Sequence, residues 1–212
     1  MAIERPRAGG HVFDWKAFIE RRKDQPPRPL LVRAVGFVQA VDHAVDLGSG
    51  AMNDVRFLLA KGFKHVAAID EILMANEVAA TLPPHRFDYI KSSFEDFDFP
   101  REGYDLVNAQ NSLSFIAPDQ FDRVFGSILL SLKKGGVFAG QLVGNQDDWA
   151  PRRPDMTFCT AEQTEQRFAE LDVVEFDEGA EDLVLADGSI KHRHFIRFIV
   201  QRPVGGSPAV DA

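Results

Sequence analysis

The chain is poor in cysteine, tyrosine and basic residues, and it has no long apolar run. A single cysteine, Cys159, occurs in 212 residues. That excludes an internal disulfide and a cysteine-rich zinc site, and it is compatible with a reducing compartment. No apolar run is long enough to cross a bilayer. The start, MAIERPRAGGHVFDW, carries early charge without an apolar signal core, so no secretory signal is indicated and a cytoplasmic location is expected. Lys and Arg together number 24 against 32 Asp and Glu, a net charge of −8. An acidic chain without a basic block argues against nucleic acid or an anionic membrane as the main partner. The one small basic cluster, ERRKD at Glu20–Asp24, is flanked by acids and reads as a solvated helix face. Tyrosine occurs twice and phenylalanine 18 times, a bias that has no functional reading at this level.

What is present fits one globular domain with a sizeable core. Residues 1–41 read as a helical extension or lid, 42–203 as the main domain and 204–212 as a tail. In the extension, Asp14 can cap a helix that presents Trp15, Phe18 and Ile19 on one face. QPPRP breaks it, and a second helix starts near Pro29. Beyond residue 42, strands and helices alternate. HAVDLGS, HVAAID, FDYIKSS and YDLVNAQ read as four short strands. DVRFLLAKG and EILMANEVAATL read as helices after the first and second. The strongest helical pattern follows Pro118, where Phe121, Val124, Phe125, Ile128, Leu129 and Leu132 share one face. A fifth strand is expected over Gly136–Gly144. Thr160 and Gln163 have capping-box spacing, which predicts a helix to about Ala169. DVVEFDEG and HRHFIRFIVQR then read as an antiparallel strand pair around a turn region, EDLVLADGS. The pattern predicts an α/β fold: a Rossmann-like, mostly parallel, seven-stranded sheet with helices on both faces and an antiparallel last strand.

In such sheets ligands sit at the carboxyl ends of the strands, where strand order reverses. That points to Gly48–Gly50, Asp70, Ser93–Phe94 and Gln110–Asn111. Gly48 and Gly50 permit a tight turn and close approach of a ligand. Asp70, at the end of the second strand, can accept the hydroxyl hydrogens of a ribose. These features suit a dinucleotide or another adenosine cofactor equally well. The dinucleotide fingerprint, however, wants a third glycine where Asn53 stands. Asp46, two residues before Gly48, would repel a pyrophosphate and attract a cationic ligand. Asp54 adds a second acid, with the plain alternative that it serves the helix dipole. The glycine, lysine and Ser/Thr spacing of a phosphate-binding P-loop is absent.

VDLGSG, AID, SSFEDFDF and YDLVNAQNSLSF, in that order, resemble class I S-adenosylmethionine-dependent methyltransferases over about His43 to Gly144. FAGQLVGNQDDWA and MTFCT are similar to small bacterial methyltransferases of the tellurite-resistance type. The resemblance implies S-adenosylmethionine as cofactor. It implies that Asp46 sits near the methionine end, with Gly48, Ser49 and Gly50 giving backbone approach. Asp70 would bind the ribose, with Glu71 and Ile72 following along ribose and adenine. Ser93 and Phe94 would lie at the adenine edge, and Gln110 would face the methionine amine or the reacting methyl. Met52 departs from the pattern, where many relatives have a small residue, and it either narrows the pocket or turns into the core.

Methyl transfer from a sulfonium is an in-line displacement in which the protein mainly aligns the acceptor and excludes water. A general base is needed only where the acceptor holds its proton, so no catalytic residue is legible. Candidates for contact with a small-molecule acceptor are Arg28, Asn111, Gln141 and Trp149. Gln141 has the alternative role of a strand-end hydrogen-bonder, and Trp149 that of a loop anchor. His192 and His194 share a strand face and could ligate a metal, but no third ligand stands at fixed spacing, so no metal site is expected. A nicotinamide-dependent oxidoreductase and a non-catalytic cofactor-binding protein are the competing readings. Oligomeric state is not legible.

Overall fold

The computed structural model describes residues 14–72, 81–185 and 188–205. Two short helices come first, α1 (Trp15–Arg21) and α2 (Pro29–Ala34). Asp14 caps α1 through the amide of Ala17 at 2.9 Å, and Pro29 opens α2. The expected helix of EILMANEVAATL lies largely outside the described residues, as do most of both tails.

The strands are β1 (His43–Leu47), β2 (His65–Asp70), β3 (Phe87–Lys91), β4 (Tyr104–Gln110), β5 (Leu132–Val143), β6 (Asp172–Val184) and β7 (Ile190–Gln201). The helices among them are α3 (Asn53–Ala60), α4 (Pro118–Ser131) and α5 (Ala161–Gln166). Together the strands form one seven-stranded sheet in the order β3-β2-β1-β4-β5-β7-β6. The five strands β1 to β5 run parallel, and β7 pairs antiparallel with both β5 and β6. Strand order reverses between β1 and β4, so the carboxyl ends of these two central strands flank the crevice where a ligand belongs.

Several boundaries differ from expectation; β1 ends at Leu47 and β3 at Lys91, each two residues short of its expected end. β5 begins at Leu132, because Leu132 already pairs with Tyr104 across an irregular register. α5 stops at Gln166 although its capping box forms as expected. Residues of the expected turn EDLVLADGS extend the last pair instead, with Glu181, Asp182, Leu183 and Val184 facing Arg193, His192, Lys191 and Ile190. β5 reaches only as far as Phe195. The pair therefore projects past the sheet as a two-stranded ribbon, on the side where β5 ends. Acids on its outer strand meet bases on its inner one: Asp177–Arg197, Glu178–His194, Glu181–Arg193 and Asp182–His192. Such cross-strand pairs fix register.

The two sheet faces are packed differently. One holds Val45, Leu47, Val107, Ala109, Phe138 and Phe198 under α4. Five phenylalanines meet there. Phe125 lies 5.4 Å from Phe121, 5.8 Å from Phe138, 6.2 Å from Phe168 and 6.3 Å from Phe198, centroid to centroid. Gly140 makes room for them, since a Cβ there would stand 2.3 Å from the Phe198 ring. The phenylalanine bias is thus largely a core property. The segment FEDFDF adds to it: Phe94, Phe97 and Phe99 pack on this cluster while Asp96 and Asp98 are exposed. The opposite face carries Ala44, Leu106, Val137, Ala139 and Ile199 under α2 and α3. Met52 belongs to this second cluster and is fully buried.

Candidate functional site

On the α2 and α3 face the sheet is apolar below and polar at its carboxyl ends. Asp46 faces Asn108 in register, two residues above the Ala44–Leu106 pair. One layer higher, Gln110 pairs with Gln141, Gln141 with Arg197, and Arg197 with Asp177. Because side chains alternate along a strand, these residues share the face of Asp46 and Asn108. A polar row thus crosses β4, β5, β7 and β6 directly above the core.

Asn108 is the hub of the lower layer. Its Nδ2 donates to Asp46 Oδ1 at 2.7 Å and to Asp54 Oδ2 at 3.2 Å, while its Oδ1 accepts from Gln110 Nε2 at 2.7 Å. Two buried carboxylates therefore share one amide nitrogen. Burial, and then the charge of Asp54, push the Asp46 carboxyl up to about 8. Asp54 is more than a helix-dipole partner. It accepts the Arg28 backbone N–H at 2.9 Å and lies 3.5 Å from the Arg28 guanidinium, which ties the start of α2 to α3. No signal in the sequence singled out Asn108, which lies inside the fully buried strand β4.

The glycine turn follows β1. Gly48 has φ +79 and donates its N–H to Ile69 O at 2.8 Å. A Cβ at Gly48 would stand 2.5 Å from Ser112 Cβ, so this glycine admits Ser112 as well as any ligand. Ser112 in turn bonds Leu47 O at 2.7 Å. Gly50 also has positive φ, and Met52 adopts the left-handed conformation at the start of α3. The Met52 side chain turns into the core rather than narrowing a pocket. Ser49 Oγ is buried and has no hydrogen-bond partner among the described residues. An orphaned hydroxyl of this kind is uncommon, and it stands in the turn expected to meet a ligand.

Asp70 closes β2. Its Oδ2 accepts the Gly50 N–H at 2.8 Å and its Oδ1 the Ile72 N–H at 2.9 Å. Burial raises its pKa, and the backbone N–H groups of Ile72, Gly50 and Glu71 oppose that rise. Tyr89 holds the Ile72 carbonyl at 2.7 Å. Phe94 packs near Gly48, whereas the Ser93 hydroxyl is engaged in a local turn with Asp96 at 2.8 Å. Glu71 is exposed and Ile72 half-buried.

The residues expected to meet an acceptor fall into two groups. Asn111 and Gln141 come together, with Gln141 Nε2 donating to Asn111 Oδ1 at 2.5 Å and Gln141 Oε1 accepting from Arg197 Nε at 3.3 Å. Trp149 lies further along the rim. Its indole covers the Lys191 ammonium at 3.2 Å and edges Phe115 at 6.4 Å. Phe115, just after β4, edges Trp15 of α1 at 5.2 Å. Ile19 of the same helix approaches Gly50, and Asn53 Nδ2 bonds Arg22 O at 2.8 Å. The amino-terminal helices are thus fastened over the glycine turn and the β4 end.

The histidines serve the ribbon. His194 is buried, its Nδ1 accepting from the Gln146 N–H at 3.2 Å and its Nε2 lying 3.0 Å from Glu178 Oε1. The accepting role at Nδ1 leaves the proton on Nε2. His192 pairs with Asp182 at 2.7 Å. Among the described residues no group of three His, Cys, Asp or Glu side chains is arranged to hold a metal.

Residues 44–136 match the family model described as a methyltransferase domain. No curated protein matches the sequence. Among solved structures, TehB from Haemophilus influenzae is similar at TM-score 0.70 and 14% identity, covering 89% of this chain and 67% of its own. A putative methyltransferase of Haloferax volcanii, in complex with the Trm112 methyltransferase activator, is similar at TM-score 0.68 and 18% identity, covering 92% and 96%. The 1,6-didemethyltoxoflavin-N1-methyltransferase of Burkholderia thailandensis, with bound S-adenosylhomocysteine, is similar at TM-score 0.61 and 16% identity, covering 83% and 77%. Residues 44–136 thus carry the methyltransferase-domain match, and the chain has the fold of class I S-adenosylmethionine-dependent methyltransferases.

Proposed function

We propose that this protein transfers a methyl group from S-adenosylmethionine to a small-molecule acceptor by in-line displacement. The observation that carries the reading is the pair of buried acids, Asp46 and Asp54, joined by Asn108 beside the glycine turn. Two buried carboxylates side by side favour a cationic ligand over a pyrophosphate. The orphaned Ser49 hydroxyl fits the same cofactor.

Asp46, with Gln110 nearby, serves the methionine end, and Gly48, Ser49 and Gly50 give backbone approach. Asp70 serves the ribose. Its oxygens accept the backbone N–H groups of Gly50 and Ile72, with that of Glu71 beside them, and a carboxylate's four lone-pair sites leave room for a hydroxyl. Ile72 and Glu71 follow along ribose and adenine, with Ser93 and Phe94 at the adenine edge. The bound cofactor supplies an activated methyl on a sulfonium. The chain's own part is to align and to exclude water. Asn111 and Gln141 orient the acceptor at the end of β4. The helices α1 and α2, pinned through Trp15, Phe115 and Trp149, act as a cover. No general base is assigned.

Calorimetric titration with S-adenosylhomocysteine and, separately, NAD tests the reading. Micromolar binding of the first, weakened in Asp70→Ala, is expected. Tight NAD binding without S-adenosylhomocysteine binding would overturn it. Binding with no methylation across a broad acceptor screen would make the protein a non-catalytic cofactor binder.

A further inference from the structure

A guanidinium only donates hydrogen bonds, whereas an amide side chain donates at one end and accepts at the other. An arginine at the head of a chain of amides therefore dictates which way each of them points. Arg197 stands on β7 in the polar row and is held from two sides, its guanidinium 3.8 Å from the Phe195 ring centroid and 3.6 Å from Asp177. Its Nε donates to Gln141 Oε1 at 3.3 Å. That turns the Gln141 nitrogen the other way, and Gln141 Nε2 donates to Asn111 Oδ1 at 2.5 Å. Asn111 is turned in its turn. Its Oδ1 faces Gln141, and its Nδ2 has no hydrogen-bond partner among the described residues.

Backbone geometry brings Asn111 to this place. Continued as strand, it would point to the face opposite Gln110. It instead has φ +60, a left-handed conformation that asparagine tolerates better than most residues, and it reaches Gln141 on the face of Asp46. Non-glycine residues held in this region cluster at ligand sites. Asn111 is exposed and follows β4, one of the two central strands that flank the crevice. In the layer below, the same logic runs the other way, because the chain starts from carboxylates. Asn108 Nδ2 donates to Asp46 and Asp54, its Oδ1 accepts from Gln110 Nε2, and Gln110 Oε1 is left without a partner among the described residues. Two amides adjacent in sequence thus present opposite ends, an oxygen at Gln110 and an N–H at Asn111.

We infer that Arg197, acting through Gln141, fixes Asn111 as a hydrogen-bond donor to the methyl acceptor. The acceptor is then a small molecule that carries a lone pair, on a carbonyl, carboxylate or ring nitrogen, near the atom that takes the methyl. Arg197 is a positioning residue, and Asn111 determines specificity. A molecule that offers an N–H at the same point sets donor against donor and leaves both unpaired, which a polar site rejects. That the molecule is a methyl acceptor rests on the methyltransferase reading. The direction of the amides does not.

NMR of the Asn111 side-chain amide tests this, on the isotope-labelled full chain saturated with S-adenosylhomocysteine. Two neutral probes are titrated separately: pyridine N-oxide, which only accepts, and pyrrole, whose N–H only donates. Wild type should bind the first about threefold to tenfold more tightly than the second, read at the Asn111 signals. In Gln141→Glu both carboxylate oxygens accept, so Asn111 turns its Nδ2 toward them and the preference should reverse to pyrrole. In Arg197→Met nothing dictates the direction of Gln141, and the preference should fall toward parity. A preference for pyrrole in wild type, or the same preference in all three proteins, overturns the inference. Asn111 signals that answer neither probe on the saturated protein overturn it as well, because the amide then does not serve an acceptor. Reversal in Gln141→Glu with no change in Arg197→Met overturns the part of Arg197 and supports that of Asn111. Failure of S-adenosylhomocysteine to bind wild type would instead overturn the cofactor reading. The preference and its reversal, read on the ligand-free chain, then still decide the direction of Asn111. Unchanged thermal midpoints establish that the variants are folded, and should Gln141→Glu fail to fold, Arg197→Met decides alone.

Discussion

The two faces of the sheet use the same strands to opposite ends. Under α4, Phe121, Phe125, Phe138, Phe168 and Phe198 fill the space ring against ring. Under α2 and α3 the face begins with Ala44, Leu106 and Val137 and ends in Asp46, Asn108, Gln110 and Gln141. The first face holds the molecule together. The second gives up that closure near the carboxyl ends, where buried acids stand with incomplete compensation. Poorly compensated polar groups cost stability unless a partner arrives, so the contrast separates the part of the sheet that folds the chain from the part proposed to meet a ligand.

The largest effect that would break this contrast is expected on the phenylalanine face. Phe125→Ala should lower unfolding free energy by about 3–5 kcal/mol in urea titrations. The affinity of the remaining folded protein for S-adenosylhomocysteine should be little changed. A loss of affinity without a loss of stability would contradict the division of labour.

Next comes Asp70→Ala, with the opposite signature. Removing the carboxylate proposed to serve a ribose hydroxyl should weaken S-adenosylhomocysteine by about tenfold or more, the equivalent of a charge-assisted hydrogen bond of roughly 1.5–3 kcal/mol.

A third test concerns Asp46. Its carboxyl is raised to about 8 in the ligand-free fold, against about 3.9 in an unfolded chain. A raised acid binds its proton more tightly when folded. The stability it contributes is therefore full below about pH 4 and is lost as pH rises through about 8. The thermal midpoint of the ligand-free protein should fall over that window, and Asp46→Asn should flatten the fall. A ligand ammonium group set beside Asp46 favours the ionised form. Binding of S-adenosylhomocysteine below pH 8 should therefore release a proton, visible as a binding heat that depends on the buffer's ionisation enthalpy. Absence of both effects would mean that Asp46 does not titrate in this range.

The smallest effect is expected at the ribbon. Arg193→Gln removes a partly exposed pair with Glu181 and should change stability by less than about 1 kcal/mol.

Much of the fold was legible because local signals agreed with global ones. β2 and β4 fall on the residues that periodicity marks out, and Thr160 with Gln163 forms the expected capping box. The errors arose where pairing, not propensity, decides. Leu132 is strand because Tyr104 lies beside it, and Glu181 to Val184 are strand because β7 continues opposite them. At the site, the positions of Asp46, Asp70 and Gln110 could be read from strand ends. Asn108 could not, since a polar residue within an apolar run gives no sign of its partner across the sheet. The direction of Met52 depended on whether its backbone turned left-handed, which a single sequence does not reveal.

The ribbon's acid–base ladder also bears on how copies of the chain meet. β6 is the last strand of the sheet, and a bare last strand offers its free amides and carbonyls to any passing strand. Here Asp177, Glu178, Glu181 and Asp182 lie along it, each already answered by a base from β7. A second β6 laid alongside would bring acid against acid with the bases already engaged. The charges that hold the register of one molecule thereby discourage the sheet from growing into its neighbour.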